Sequence, residues 1–235
     1  MGNPFYLQEV PVEAPFCNRA KELKELESYA VAGANVVLFS PRRYGKTSLG
    51  KRIQRMLVDK GFITFFADFF GVASVDDVAA RLAKAIFAVT HNQEPLWKKA
   101  LRTIRSFRPV LKPDLEGGIS LSVEPSSAGR SGLRLLEETM DSLGDFISAA
   151  HTPVHVALDE FQEIVILKEA LQIEGAMRSR IQQQKGSYLF IGSRRRVLLG
   201  IFNERQRPFF QSAINYPLKT LPVDELIEFL IEQFR

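Results

Sequence analysis

The sequence predicts an α/β protein built on a parallel sheet. Short, nearly continuous apolar runs alternate with amphipathic stretches of helical period. Polar and acidic residues stand at the ends of those runs, where an open α/β sheet places its ligands.

The runs Asn35–Phe39, Phe62–Phe69, Val154–Leu158 and Tyr188–Ile191 are rich in β-branched and aromatic residues, as strands buried on both faces require. Ser212–Leu218 is a weaker fifth strand. Leu49, Ile53, Met56 and Leu57 recur at helical spacing, with Lys51, Arg52 and Arg55 on the other side. A second helix is expected over Val75–Val89, behind Ser74 as N-cap, with Val78, Leu82, Ala85 and Ile86 on one stripe. Leu133–Ala149 and Leu171–Gln184 predict two more. Thr90–Arg130 breaks the rhythm with four prolines and several Gly and Ser residues. It reads as an insertion: a short basic helix, Leu96–Ser106, then a hairpin in which Ile119, Leu121 and Val123 alternate with serines. After Pro222, Val223–Phe234 begins a last amphipathic helix.

At 235 residues and 46% hydrophobic, the chain can bury one sizeable core. Its 25% charged residues are an ordinary globular share, which argues against wholesale disorder. A formal net charge of +4 permits nucleic-acid contact without demonstrating it. Cys17 is the single cysteine, so no intramolecular disulfide can form, and it reads as a packing residue. No run approaches the roughly 20 apolar residues of a membrane span. Met1–Val10 lacks the basic-then-apolar pattern of a signal peptide. The expected location is the cytoplasm, with no membrane contact.

The first apolar run is followed by Ser40-Pro41-Arg42-Arg43-Tyr44-Gly45-Lys46-Thr47, and a helix opens there. A strand, a loop ending in Gly-Lys-Thr and a helix are the setting in which backbone N–H groups surround a polyphosphate. Gly45 would let the chain approach phosphate closely, Lys46 would bridge the β and γ phosphates, and the Thr47 hydroxyl would ligate Mg²⁺. Ser40 stands where the pattern usually has glycine, and a positive φ there would strain it. Val154–Leu158 runs into Asp159-Glu160. Asp159 would hold Mg²⁺, mainly through water, and Glu160 would orient and polarise an attacking water. Tyr188–Ile191 ends in Gly192-Ser193, and Ser193 is a candidate polar sensor of the γ-phosphate. Arg194, Arg195 and Arg196 follow it, and three successive side chains cannot all face one site. His91, His151 and His155 have no metal-ligand spacing.

Four segments, in order, resemble a family of prokaryotic P-loop ATPases found mostly in archaea, in the STAND and AAA-related branch. Phe16-x-x-Arg19-x-x-Glu22-Leu23-x-x-Leu26 resembles its N-terminal box. Pro41–Leu49 resembles its phosphate loop, Leu158-Asp-Glu-Phe-Gln-Glu163 its Walker B segment, and Gly192-Ser193 with Ile201-Phe202 and Pro208-Phe209 its sensor segment. The resemblance covers most of residues 14–235. It implies a three-layer α/β/α P-loop fold with sheet order 5-1-4-3-2 and an adenine pocket near Phe16 and Arg19. The nucleotide would then lie against Ser40 to Ser48, with Lys46, Glu160 and Ser193 catalytic and Thr47 and Asp159 on the metal. The resemblance also implies a core over 1–220, with an insertion near 91–130, and the start of a helical lid over 221–235. The remainder of the lid and any winged-helix domain would lie outside this sequence.

The function so implied is Mg²⁺-dependent ATP hydrolysis in a switch or motor module. Its partners would be ATP, a protein or a second copy of the chain, and possible DNA through a further C-terminal domain. One alternative is a nucleic-acid-processing ATPase of the replication-initiator or transposition-helper kind. Others are a P-loop small-molecule kinase and a scaffold that binds nucleotide without hydrolysing it. Arg178 or Arg180 would be a finger arginine if the chain self-associates. Arg42 and Arg43 could contact nucleotide or partner. Lys98, Lys99, Arg102 and Arg105 form a basic face that could contact DNA phosphates but reads first as a solvated face over a core stripe of Trp97, Leu101 and Ile104.

Overall fold

Residues of the main sheet alternate between two cores. In β1 (Val36–Phe39), Val37 and Phe39 join one buried cluster while Val36 and Leu38 join the other. In β6 (Gly186–Gly192), Tyr188 and Phe190 face the first and Leu189 and Ile191 the second. Burial on both faces is why these strands read as continuous apolar runs. The computed structural model describes residues 10–17, 19–91, 106–113, 119–126 and 131–234.

Five strands form the sheet: β1, β2 (Ile63–Asp68), β5 (Val154–Asp159), β6 and β7 (Ile214–Pro217). They are parallel and ordered β2-β5-β6-β1-β7. Counting only these five strands along the chain and starting from β7, the order is 5-1-4-3-2, as the resemblance implied. Helices α1 (Ala20–Val31) and α2 (Lys46–Asp59) cover one face. The other is covered by α3 (Val75–His91), α4 (Gly132–Ala149), α5 (Ala170–Ile181) and α6 (Arg195–Asn203). A last helix, α7, spans Val223–Gln233. Ser74 and Ser131 cap α3 and α4, their hydroxyls accepting from the N–H groups of Asp77 and Arg134.

Strands β3 (Phe107–Pro113) and β4 (Ile119–Pro125) pair antiparallel as a separate two-stranded sheet, the hairpin expected in the insertion. The basic helix expected over Leu96–Ser106 lies, apart from Ser106, outside the described residues. Helices α1 and α6 and a 3-10 turn at Phe161–Ile166 were not among the elements expected from the sequence.

Candidate active site

Parallel pairing sets the C-terminal ends of β1, β5 and β6 side by side, with Phe39 level with Gly192 and Leu158 level with Phe190. Ser40 leaves β1, Asp159 ends β5 with Glu160 directly after it, and Ser193 follows β6. Residues 119 positions apart are thereby brought to one edge.

The loop between β1 and α2 turns through two left-handed residues, Arg43 at φ 66° and Gly45 at φ 77°. Only the second is a glycine, and nothing lies within 4 Å of where its Cβ would be, so backbone conformation sets that choice. Ser40 does not have a positive φ, so the strain foreseen for a serine in place of glycine does not arise. Pro41, Arg42 and Arg43 are exposed, and Tyr44 and Gly45 half-buried.

Lys46 is buried, and its Nζ donates to the carbonyls of Ser40 at 3.0 Å and Pro41 at 2.8 Å. Burial holds its ammonium below its usual range. The charges of Glu160 and Asp159 pull it back up, and Arg42 opposes them. The Thr47 hydroxyl donates to Asp159 Oδ2 at 2.6 Å, and the Glu160 N–H donates to Asp159 Oδ1 at 2.8 Å. Burial pushes the Asp159 carboxyl upward; those two hydrogen bonds oppose the shift, and the nearby Asp68 and Glu160 charges add to it.

Ser193 Oγ donates to Glu160 Oε2 at 3.1 Å, and Gln162 Nε2 donates to the same oxygen. The sequence pointed to Ser193 and not to Gln162. Phe161, between Glu160 and Gln162, is fully buried against Phe69, Phe190, Phe202 and Phe209, with ring centroids 4.8–6.2 Å apart. This aromatic plug anchors the chain directly after Glu160. The three arginines after Ser193 diverge: Arg194 approaches Glu163 at 3.6 Å, Arg195 lies over the Phe39 ring at 5.5 Å, and Arg196 is exposed.

A cavity of about 500 Å³ adjoins the loop at Gly45. Phe16, Arg19, Arg43 and Tyr44 line one side and Leu221, Leu226 and Phe229 the other. The N-terminal box, the loop and α7 therefore meet at one cavity. Arg19 is buried there, bonded to Glu22 at 2.6 Å and to the Lys219 carbonyl at 2.9 Å. Arg52 of α2 places its guanidinium 4.3 Å from the Phe16 ring centroid and donates to the Pro11 and Ala14 carbonyls. Ser48 Oγ accepts from the Val10 N–H at 3.1 Å. The helical period placed Arg52 only on the polar side of α2, because its long-range bonds leave no local signal. Leu226 and Phe229 had one, the amphipathic period after Pro222.

Two positions weighed as finger arginines differ. Arg180 bonds Asp141 at 2.7 Å and lies 3.6 Å from Glu137, both on α4, which ties it into the helix layer. Arg178 is half-buried, with its Nε unpartnered.

A parallel 5-1-4-3-2 sheet with a Gly-Lys-Thr loop between its first strand and helix defines the P-loop ATPase fold. Solved structures agree. The chain is similar to a Walker-type ATPase of Pyrococcus abyssi, with a TM-score of 0.66 and 17% identity, over 99% of this chain and 62% of that one. It is similar to the ORC1 protein of Aeropyrum pernix in complex with DNA (TM-score 0.61, 15% identity, 95% and 50% covered). It is similar, too, to the ORC2 protein of that organism in ADPNP–ADP complexes (0.55, 15%, 98% and 54%). The chain thus spans 50–62% of the length of these proteins, and the likeness is one of fold. No protein-family model matches the chain, and no curated protein matches it in sequence. Among the described residues, no helix is long and apolar enough to cross a membrane.

Proposed function

We propose that the chain is the Mg²⁺-dependent ATPase module of a switch or motor. The observation that carries this reading is the convergence of Lys46, Thr47, Asp159, Glu160 and Ser193 at one sheet edge, linked by the Thr47–Asp159 and Ser193–Glu160 hydrogen bonds. The Thr47 hydroxyl would offer Mg²⁺ a hard oxygen ligand, and Asp159 would hold the ion mainly through water. The cavity beside Gly45 would take the adenine ring between Phe16, Tyr44 and the residues of α7. Backbone N–H groups of Ser40 to Ser48 and the start of α2 would hold the phosphates.

Mg²⁺, when bound, neutralises charge on the β and γ phosphates. Lys46 exchanges its two carbonyl partners for phosphate oxygens. Glu160 aligns a water with the γ-phosphorus and accepts its proton. As the water oxygen bonds to phosphorus, the bond to the ADP oxygen breaks, leaving ADP and inorganic phosphate. Ser193 holds Glu160 and senses the departing phosphate. Positioning and charge stabilisation supply the rate, with no covalent intermediate on the protein. Helix α7 begins the lid whose orientation responds to hydrolysis. Its exposed Val223, Ile227 and Ile231 suit a further element or partner.

The test is nucleotide binding and phosphate release with Mg²⁺. Lys46→Ala is expected to abolish both. Glu160→Gln is expected to bind ATP and lose about 100-fold or more in turnover, the scale of a general base. A wild-type protein that binds no nucleotide refutes the proposal; normal turnover by Glu160→Gln refutes the role of that residue. A second reading, a nucleic-acid-processing ATPase, draws on the likeness to a protein solved with DNA. It predicts hydrolysis stimulated by DNA and lost as salt rises.

A further inference from the structure

We infer that Gln162 is a positioning residue for Glu160, an inference that rests on the ATPase reading above. Gln162 is 1% exposed, unusual for a glutamine two residues beyond Glu160. Its Nε2 donates to Glu160 Oε2 and, at 3.4 Å, to Glu163 Oε1. Its Oε1 is buried without a partner. An orphaned buried amide oxygen is destabilising, so stability alone does not account for this side chain. The nearer of its two acceptors is the glutamate proposed to take the proton from water.

The surroundings are built around that contact. The Phe161 plug fixes the backbone on one side of Gln162. On the other side stands Gly192, the last residue of β6, where a Cβ would lie 1.9 Å from Gln162 Oε1. Glycine at 192 therefore lets the amide sit between the acidic strand and the sensor strand. Gly192 and Ser193 act on the same glutamate, one by making room for Gln162 and the other by donating directly. Glu160 needs both donors. A single hydrogen bond from Ser193 leaves the carboxylate free to swing about it, whereas two donors on Oε2 fix its plane. Oε1 is then left to meet the water. Glu163, held by Arg194, takes the second proton of the amide and keeps the donor facing Glu160.

The experiment compares steady-state hydrolysis and ATP binding in wild type, Gln162→Leu, Gly192→Ala, Glu160→Gln and the Gln162→Leu/Glu160→Gln double variant. Gln162→Leu keeps the side chain's approximate size and removes the orphaned oxygen, so it is expected to fold. It should lower kcat about 10- to 100-fold, as a misplaced catalytic group does, with the ATP Kd within about twofold of wild type. Gly192→Ala, which displaces the amide without altering it, should lower kcat in the same sense. In the Glu160→Gln background, single-turnover hydrolysis should fall no further on adding Gln162→Leu, because the group that Gln162 positions is already gone. Wild-type kcat in both Gln162→Leu and Gly192→Ala, with Glu160→Gln inactive, overturns the inference and leaves the ATPase reading standing. So does an equal loss from Gln162→Leu in both backgrounds. Absence of hydrolysis in wild type overturns the ATPase reading and the inference with it.

Discussion

Glu160 sits at φ 49° and ψ 39°, a left-handed conformation that costs a residue with a Cβ about 1–2 kcal/mol. The Asp159 carboxylate on its N–H and the buried Phe161 behind it hold it there, so strain is concentrated at the residue proposed to do chemistry. Five residues earlier, on β5, His155 lies in a different environment. It is buried with Nδ1 unpartnered, near Leu26, Ile53 and Tyr188, and burial pushes its pKa down to about 4 from 6.5. Above pH 6.5 the imidazole is neutral whether the chain is folded or not. As pH falls below 6.5 the unfolded chain takes up a proton that the fold refuses, so stability drops. The drop ends near pH 4, where the folded imidazole protonates as well. The span corresponds to about 3 kcal/mol. His155→Val is expected to flatten that part of the profile. Urea unfolding at pH 7 and pH 4.5 should show wild type losing more stability than the variant; equal losses would mean that His155 is not held neutral.

Four of the five sheet strands were plain in the sequence: β1, β5 and β6 because both faces are buried, which leaves no polar alternation to confuse them, and β2, only half-buried on one face, because its run is rich in aromatic residues. Helix α6 was not, and its burial explains why: only Leu198, Ile201 and Phe202 point inward, a stripe too short to stand out after three arginines. Helix α1 buries only Leu26 and Ala30. The candidate site divides the same way. The Gly-Lys-Thr loop and the Asp159-Glu160 pair are local signals set by spacing. Gln162 and Arg52 are not, because one needs Gly192 and the other the Pro11 and Ala14 carbonyls, and no local pattern brings those together. Arg180 shows the opposite failure. Its place on the helix before β6 suggested a finger, yet Asp141 and Glu137 hold it as a clasp between α4 and α5. Arg180→Ala should therefore cost about 1 kcal/mol or less of stability, the scale of a partly exposed ion pair, and leave ATP turnover unchanged. Turnover that falls tenfold, measured at the protein concentration where any assembly is complete, would restore the finger.

Across the whole molecule, the N-terminal box and α7 come from opposite ends of the described chain and meet at the cavity beside Gly45. Arg19 reaching the Lys219 carbonyl and Tyr216 donating to Glu25 fasten those two ends together. A nucleotide there would bridge the loop, α1's approach and α7, and a ligand that binds only the folded state stabilises it by mass action. Mg²⁺-ATP at about 100 times its Kd adds about 2.7 kcal/mol. For a chain of this length that raises the melting temperature by roughly 5–10 °C. Lys46→Ala should abolish the rise, because the phosphates lose their central cation. Phe16→Ala should show a smaller rise at each ATP concentration and match the wild-type rise only at a higher one, because the adenine side loses one wall while the phosphate side is intact. The melting temperature followed across an ATP titration separates these cases. A Phe16→Ala curve that overlays wild type would remove the cavity from the nucleotide site, whereas no shift in wild type would remove the nucleotide from the molecule altogether.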